Sequence, residues 1–231
     1  NLDAGENEVA GSQSEHVLDK YIVARFKQVK LEVSRGFAAL FVDAAFRPIE
    51  KFIDDLSVWF LRRSRDRFKS DDKKTQEEAI APTKYILREF AKVLAPIMPF
   101  TAEMIWASIR TKIDPERVHL CTWGNVEEME TKDVEAIEKM ELARDMVTNI
   151  LEERNKTARK VRQPLAAATF KTTKFDSIKT SGEYLGEVMD ETNVRSLNFV
   201  ESDAAGKVCE LDTNITEELK VEGVYRELVR T

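Results

Sequence analysis

The residues of this chain with a chemical bent are arginines and lysines, and they come in two runs. Phe60 to Lys69 reads Phe-Leu-Arg-Arg-Ser-Arg-Asp-Arg-Phe-Lys, five basic residues against one acidic. Residues 150–175 hold seven basic and two acidic residues, centred on Arg154-Asn155-Lys156-Thr157-Ala158-Arg159-Lys160-Val161-Arg162. The planar guanidinium fork matches phosphate oxygens, and such contacts carry much of sequence-independent nucleic-acid affinity. The competing reading is that these arginines pair with acidic neighbours or dock on another protein surface. Trp123, next to Gly124, is the tryptophan best placed to stack on a base. Trp59 and Trp106 sit on apolar helix faces and read as core.

Catalytic patterns are missing. The chain has no Gly-rich phosphate loop, no Gly-x-Ser-x-Gly and no His-Glu-x-x-His. Its two histidines, His16 and His119, have no orienting partner nearby in sequence. Asp54 and Asp55 are adjacent on a helix and point about 100° apart, so they read as structural partners of arginine rather than a converging pair. Two distant cysteines, Cys121 and Cys209, make neither a zinc site nor a disulfide scaffold. No catalytic residue and no metal ligand is expected.

These basic runs need elements to carry them. A helix is expected from about Ser14, with Gly36 interrupting or ending it. A second spans Phe46 to Phe68, with Pro48 in its first turn and Phe52, Ile53, Leu56, Trp59 and Phe60 on one face. The face continues into Arg63 and Arg67, while Arg62, Arg65 and Lys69 share another side. A third runs from about Thr75 to Val93 and should kink or split at Pro82. Pro99 opens a fourth, and Val118-His119-Leu120 reads as a short extended piece. A fifth long helix covers about Asp133 to Val161. The texture then changes, with strands expected at Ala166–Lys171, Val194–Glu201 and Lys207–Leu211, a helix near 181–190, and a last helix over Glu217–Arg230.

The expected fold is therefore mainly α, a helical bundle followed by a small α+β domain. The divisions are 1–14, a flexible lead; 15–130, the bundle; 131–165, a long basic helix joining the parts; and 166–231, the α+β domain, cut off within its final helix. The sequence opens on Asn1 without a Met and reads as an excised piece of a longer protein. No run of 18 apolar residues is present and the first residues are polar and acidic, which speaks against a membrane span or a secretory signal, so a cytoplasmic setting is expected. The net charge of −6 leans away from nucleic acid. That lean is an average: residues 176–231 hold thirteen acidic and six basic residues, a local −7.

The order of motifs is recognisable. Phe52-Ile-Asp-Asp-Leu-Ser-Val-Trp59-Phe60-Leu-Arg-Arg-Ser-Arg-Asp-Arg-Phe68 resembles a helix of isoleucyl-tRNA synthetases, class I enzymes. Leu18-Asp-Lys-Tyr-Ile-Val-Ala-Arg25-Phe26 is similar to the helix that opens their anticodon-binding domain, and Leu94-Ala-Pro-Ile-Met-Pro-Phe100 to their Ala-Pro-x-x-Pro-Phe segment. Val118-His119-Leu120 with Trp123, then Lys160-Val-Arg-Gln-Pro-Leu165 and Leu219-Lys-Val-Glu-Gly-Val-Tyr-Arg-Glu-Leu-Val229, continue the match. The first three motifs are shared loosely with the valyl and leucyl enzymes. The last two favour the isoleucyl one.

The resemblance implies an anticodon-binding helical bundle with a C-terminal junction domain and, as partners, tRNA(Ile) and the catalytic domain of the same polypeptide. Neither DNA nor a membrane is expected as partner. ATP and Mg would serve the missing catalytic domain, whose signature motifs do not occur here, so this stretch alone should hold no cofactor and be inactive. On this reading Arg62, Arg65, Lys69, Arg154, Arg159, Lys160 and Arg162 are candidate phosphate contacts and Trp123 a candidate base contact. A helical protein-interaction module is the alternative.

Overall fold

A computed structural model describes residues 14–200 and 208–228. It separates into two compact units, 1–137 and 138–231. The lead expected over residues 1–14 falls almost wholly outside the described residues.

The first unit is helical. α1 (Val17–Ala38) is capped by His16, whose Nδ1 accepts from the Leu18 amide. α2 (Val42–Asp54) widens at Asp55–Leu61 into a π-helical stretch, and a short α3 (Arg65–Phe68) follows. α4 (Lys73–Leu94) starts at Asp72, which accepts from the Lys74 and Thr75 amides, and α5 (Pro99–Ile109) has Pro99 in its first turn, where no amide donor is needed. Phe26 of α1, Phe52 of α2 and Phe90 of α4 form an aromatic centre, with ring centroids 5.0–6.4 Å apart. Trp59 and Trp106 are buried, as their helix faces required.

Four local expectations are corrected. Gly36 lies inside α1, which runs on to Ala38; a Cβ there would sit 2.8 Å from the Ala45 amide nitrogen, so this glycine permits the close approach of α1 and α2. The second helix begins at Val42, four residues early, and Pro48 is interior to it. α4 passes through Pro82 unbroken, its Ala79, Ile86 and Phe90 side buried against the bundle; packing of that face outweighs the cost of about 3 kcal/mol for an interior proline. Val118–Leu120 is a 3-10 turn rather than an extended piece.

The π-helical stretch has a consequence for charge. Its wider turn places Asp55, Leu56, Trp59 and Phe60 all inside. Asp55 there accepts a hydrogen bond from Arg25 Nε at 3.0 Å, both side chains being buried. The reading of Asp55 as a structural partner of arginine agrees with this pair.

The second unit takes up the C-terminal part of α6 (Thr131–Lys156), then β1 (Leu165–Phe170), α7 (Gly182–Thr192), β2 (Val194–Phe199), β3 (Cys209–Leu211) and α8 (Glu217–Leu228). The sheet order is β2-β1-β3. β1 pairs parallel with β2, Leu165 opposite Val194, through the α7 crossover, and antiparallel with β3, Ala168 opposite Leu211. Phe170 packs edge-on against Phe175 at 5.0 Å and stacks on Phe199 at 6.0 Å. The mainly α fold with a small α+β part is as expected. The fifth helix, however, stops at Lys156, and the chain then turns through Ala158 at φ 54°. Residues 157–163 are therefore a loop rather than the end of a long basic helix.

Candidate nucleic-acid interface

Each basic run divides into cations that face solvent and cations that hold the fold. In the first unit, Arg62, Arg65 and Lys69 are exposed. Arg62 donates from Nε to the Val58 carbonyl one turn back at 3.0 Å, which stiffens the side chain along the helix. Lys69 closes α3. Arg67, from the same run, turns the other way. Its two terminal nitrogens donate to the two carboxylate oxygens of Asp19, at 2.8 and 2.6 Å, and Asp19 is fully buried in α1. Ser14 Oγ donates to the same carboxylate at 2.6 Å. Arg67 is thus an internal brace, while Arg62, Arg65 and Lys69 are exposed to solvent.

Other ion pairs consume cations that a charge count would assign to ligand binding. Lys27 pairs with Asp133 at 3.2 Å, Lys30 with Glu89 at 3.3 Å, Lys92 with Glu89, and Arg88 with Asp114. His119 Nδ1 lies 2.8 Å from Glu103, and that hydrogen bond holds the Glu103 carboxyl below its ordinary range.

In the second unit the correction concerns Arg154. It is 1% exposed and its guanidinium binds backbone carbonyls: Nη1 donates to Lys160 O at 2.9 Å and Gln163 O at 3.0 Å, and Nη2 to Asn193 O at 2.9 Å. Burial lowers its pKa to about 10. A side chain so enclosed does not reach a phosphate, so Arg154 leaves the set of candidate contacts. A basic run in sequence carries no mark of which member turns inward. Arg159, Lys160 and Arg162 lie on the loop that Arg154 supports, and all three are exposed.

Trp123 is half-buried and fixed. Its Nε1–H donates to Ser34 Oγ at 2.8 Å and its ring meets Phe37 edge-on at 6.0 Å. The indole lines an apolar groove of about 440 Å³ with Phe37, Pro96 and Val126. The neighbouring Gly124 has φ 74°, a left-handed conformation that suits glycine and lets the chain turn beside the indole. What the sequence did not disclose is the apolar surface of this unit: Leu40, Phe41 and Phe100 are 86%, 70% and 90% exposed.

Among the described residues, no group of three or more His, Cys, Asp or Glu is arranged to hold a metal ion, and no helix is long and apolar enough to cross a membrane.

Comparison with known proteins places the chain in a family. The family model described as the anticodon-binding domain of tRNA ligase matches residues 19–169. Relatives include the isoleucine–tRNA ligase of Clostridium acetobutylicum, 33% identical over 191 residues, which are 80% of this chain and 18% of that protein. The isoleucine–tRNA ligase of Chlamydia muridarum is 36% identical over 150 residues, 64% of this chain and 14% of that protein. That of Streptomyces coelicolor is 30% identical over 184 residues, 78% and 17%. The chain spans less than a fifth of the length of these curated relatives. With the family model covering well over half of its residues, the chain belongs to the anticodon-binding domain family of tRNA ligases.

Proposed function

We propose that this chain is the tRNA-binding, anticodon-binding region of an isoleucine–tRNA ligase. It positions tRNA(Ile) for ATP-dependent aminoacylation by a catalytic domain of the same polypeptide, and ATP and Mg2+ are used in that domain. The observation that carries the reading is the joint one of a matched anticodon-binding domain and two groups of exposed cations in an acidic protein. Arg62, Arg65 and Lys69 serve as phosphate contacts in the first unit, and Arg159, Lys160 and Arg162 in the second. Contacts of this kind fix register on the nucleic acid, whereas base edges carry sequence. The Trp123 groove is the site offered to an unstacked base, since an aromatic wall accepts any base face.

Filter binding with tRNA(Ile) and a noncognate tRNA at low salt tests the reading. Binding that weakens steeply with salt and favours tRNA(Ile) is the expected result. Undetectable binding at low salt, where phosphate contacts are strongest, sinks it. Turnover in ATP–pyrophosphate exchange by this chain alone would contradict the division of labour.

The protein-docking alternative keeps one specific observation, the exposure of Leu40, Phe41 and Phe100. On this reading Arg63 and Arg67 continue the apolar stripe of their helix as a packing surface would; of the two, Arg67 is paired internally with Asp19. A protein partner that displaces tRNA in a competition pull-down would favour docking.

A further inference from the structure

The loop over residues 157–163 is built with its polar backbone turned inward. Arg154 donates to the carbonyls of Lys160 and Gln163. Asn193, in the left-handed position that ends α7, donates from Nδ2 to the carbonyls of Val161 and Arg162, both at 3.0 Å. Four successive carbonyls are thereby occupied, and their partial negative charge faces away from solvent. Arg159, Lys160 and Arg162 of the same loop are exposed.

A second element closes this surface into a pocket. Gln163 donates from Nε2 to Leu219 O of α8 at 2.8 Å and to Pro164 O at 3.1 Å. Gly223 of α8 lies against the same amide: a Cβ there would stand 2.6 Å from Gln163 Oε1, so the residue's lack of a side chain lets helix and loop meet. Between them is a cavity of about 270 Å³ whose lining includes Arg159, Lys160, Arg162 and Lys220. Among the described residues no carboxylate belongs to that lining, and Lys220 also lies 3.7 Å from Glu217, one turn back on α8, in an exposed pair that a bound anion would have to outcompete. Beneath the loop, Arg154 is a buried cation whose pKa is moved by burial alone, which adds positive potential from below.

We propose that this pocket is a phosphate-binding site that seats one backbone phosphodiester of bound RNA, with Arg159, Arg162 and Lys220 as its ligands and Gln163 as the residue that positions the loop against α8. The inference rests on the tRNA-binding reading and goes further by making these cations one built site rather than scattered contacts. Guanidinium forks on a fixed loop suit a tetrahedral anion, and a pre-positioned set loses less entropy on binding than independent flexible side chains.

The test uses the 231-residue chain. The salt slope of tRNA binding is measured for wild type, for the triple variant Arg159→Ala/Arg162→Ala/Lys220→Ala, and for Gln163→Ala. One seated phosphate means that the triple variant lowers the slope by about 0.7–0.9, the share of a single phosphate. A fall of about 2–3 would mean three independent contacts, and an unchanged slope would mean none; either overturns the proposal. Gln163→Ala keeps every charge and should still raise Kd several-fold; affinity equal to wild type removes the claim of a built pocket. In parallel, inorganic phosphate is titrated while the amide NMR signals of residues 159–163 and Gly223 are followed. Saturable shifts in wild type that vanish in the triple variant are expected, and their absence overturns the site. If wild type binds tRNA but the triple variant is indistinguishable from it, the site fails while the tRNA reading stands. If wild type binds phosphate but not tRNA, the pocket takes free phosphate and both the RNA assignment and the tRNA reading fall.

Discussion

Arg67 and Asp19 form a two-pronged ion pair, 2.8 and 2.6 Å long, between α3 and the start of α1. Asp19 is fully buried and Arg67 mostly so. The pair ties the basic surface of Arg62, Arg65 and Lys69 to the core of the first unit, so that these three cations project from a fixed base. Stability and ligand contact are thus divided among neighbours of one arginine-rich run.

Replacing Arg67 separates the two roles. Arg67→Ala strands a buried carboxylate, and loss of one partner of a buried pair costs about 3–5 kcal/mol. The urea midpoint should fall accordingly. At temperatures where the variant is still folded, the salt slope of tRNA binding should match wild type. A lowered slope would return Arg67 to the phosphate contacts.

Arg65→Ala is the complementary case. This side chain is exposed, so the unfolding free energy from urea titration should change by less than about 0.5 kcal/mol. The tRNA salt slope should fall by about 0.7–0.9, the contribution of one phosphate contact. A large stability loss with unaltered slope would reassign Arg65 to internal pairing.

Much of this division could not be read from the sequence, and the reason differs between elements. The strands were legible because apolar residues cluster between turn residues, and the three described strands overlap the expected ranges, of which Glu201 and Lys207 lie outside the described residues. The exposed set Arg62, Arg65 and Lys69 was legible from spacing. The inward turn of Arg154 was not, since its partners are the carbonyls of Lys160, Gln163 and Asn193, and backbone acceptors leave no trace in side-chain composition. Asp55 was read as an arginine partner, but its position in the core depends on a π-helical turn that heptad-like spacing does not forecast. Gly36 was read as a helix breaker because propensity alone ranks it so; the approach of Ala45 is a tertiary cause and overrides that rank.

Gly36 therefore gives a steric prediction. Gly36→Ala would bring a Cβ to 2.8–2.9 Å from the Ala45 backbone, closer than real Cβ contacts allow, and backbone cannot swing aside as a side chain does. Helix propensity favours alanine by about 1 kcal/mol. Overpacking of a close helix pair costs about 1–3 kcal/mol, so net destabilisation is expected. A variant more stable than wild type in urea titration would show that α1 and α2 separate freely.

The two cysteines give a last prediction, in which burial and titration point the same way. Cys209, the first residue of β3, is 2% exposed, and burial pushes its thiol up to about 12. Cys121 is less enclosed and its thiol is raised more modestly, again mainly by burial. The thiolate is the reactive form, so a disulfide reagent at neutral pH should modify Cys121 slowly and Cys209 only on unfolding. One thiol should titrate in the native chain and two in urea, with Cys121→Ser removing the native one. The same shift sets a pH dependence. An unfolded Cys209 ionises near the ordinary thiol pKa of about 8.5, whereas the folded one stays protonated until about 12. Between those values the folded state holds the extra proton, so the unfolded state is favoured increasingly as pH rises. The second unit should therefore lose stability from about pH 8.5 upward, and Cys209→Ala should flatten that part of the profile while leaving the neutral range in place. A native chain that yields two fast thiols, or an alkaline profile that the Cys209→Ala variant does not alter, would place Cys209 outside the packed sheet.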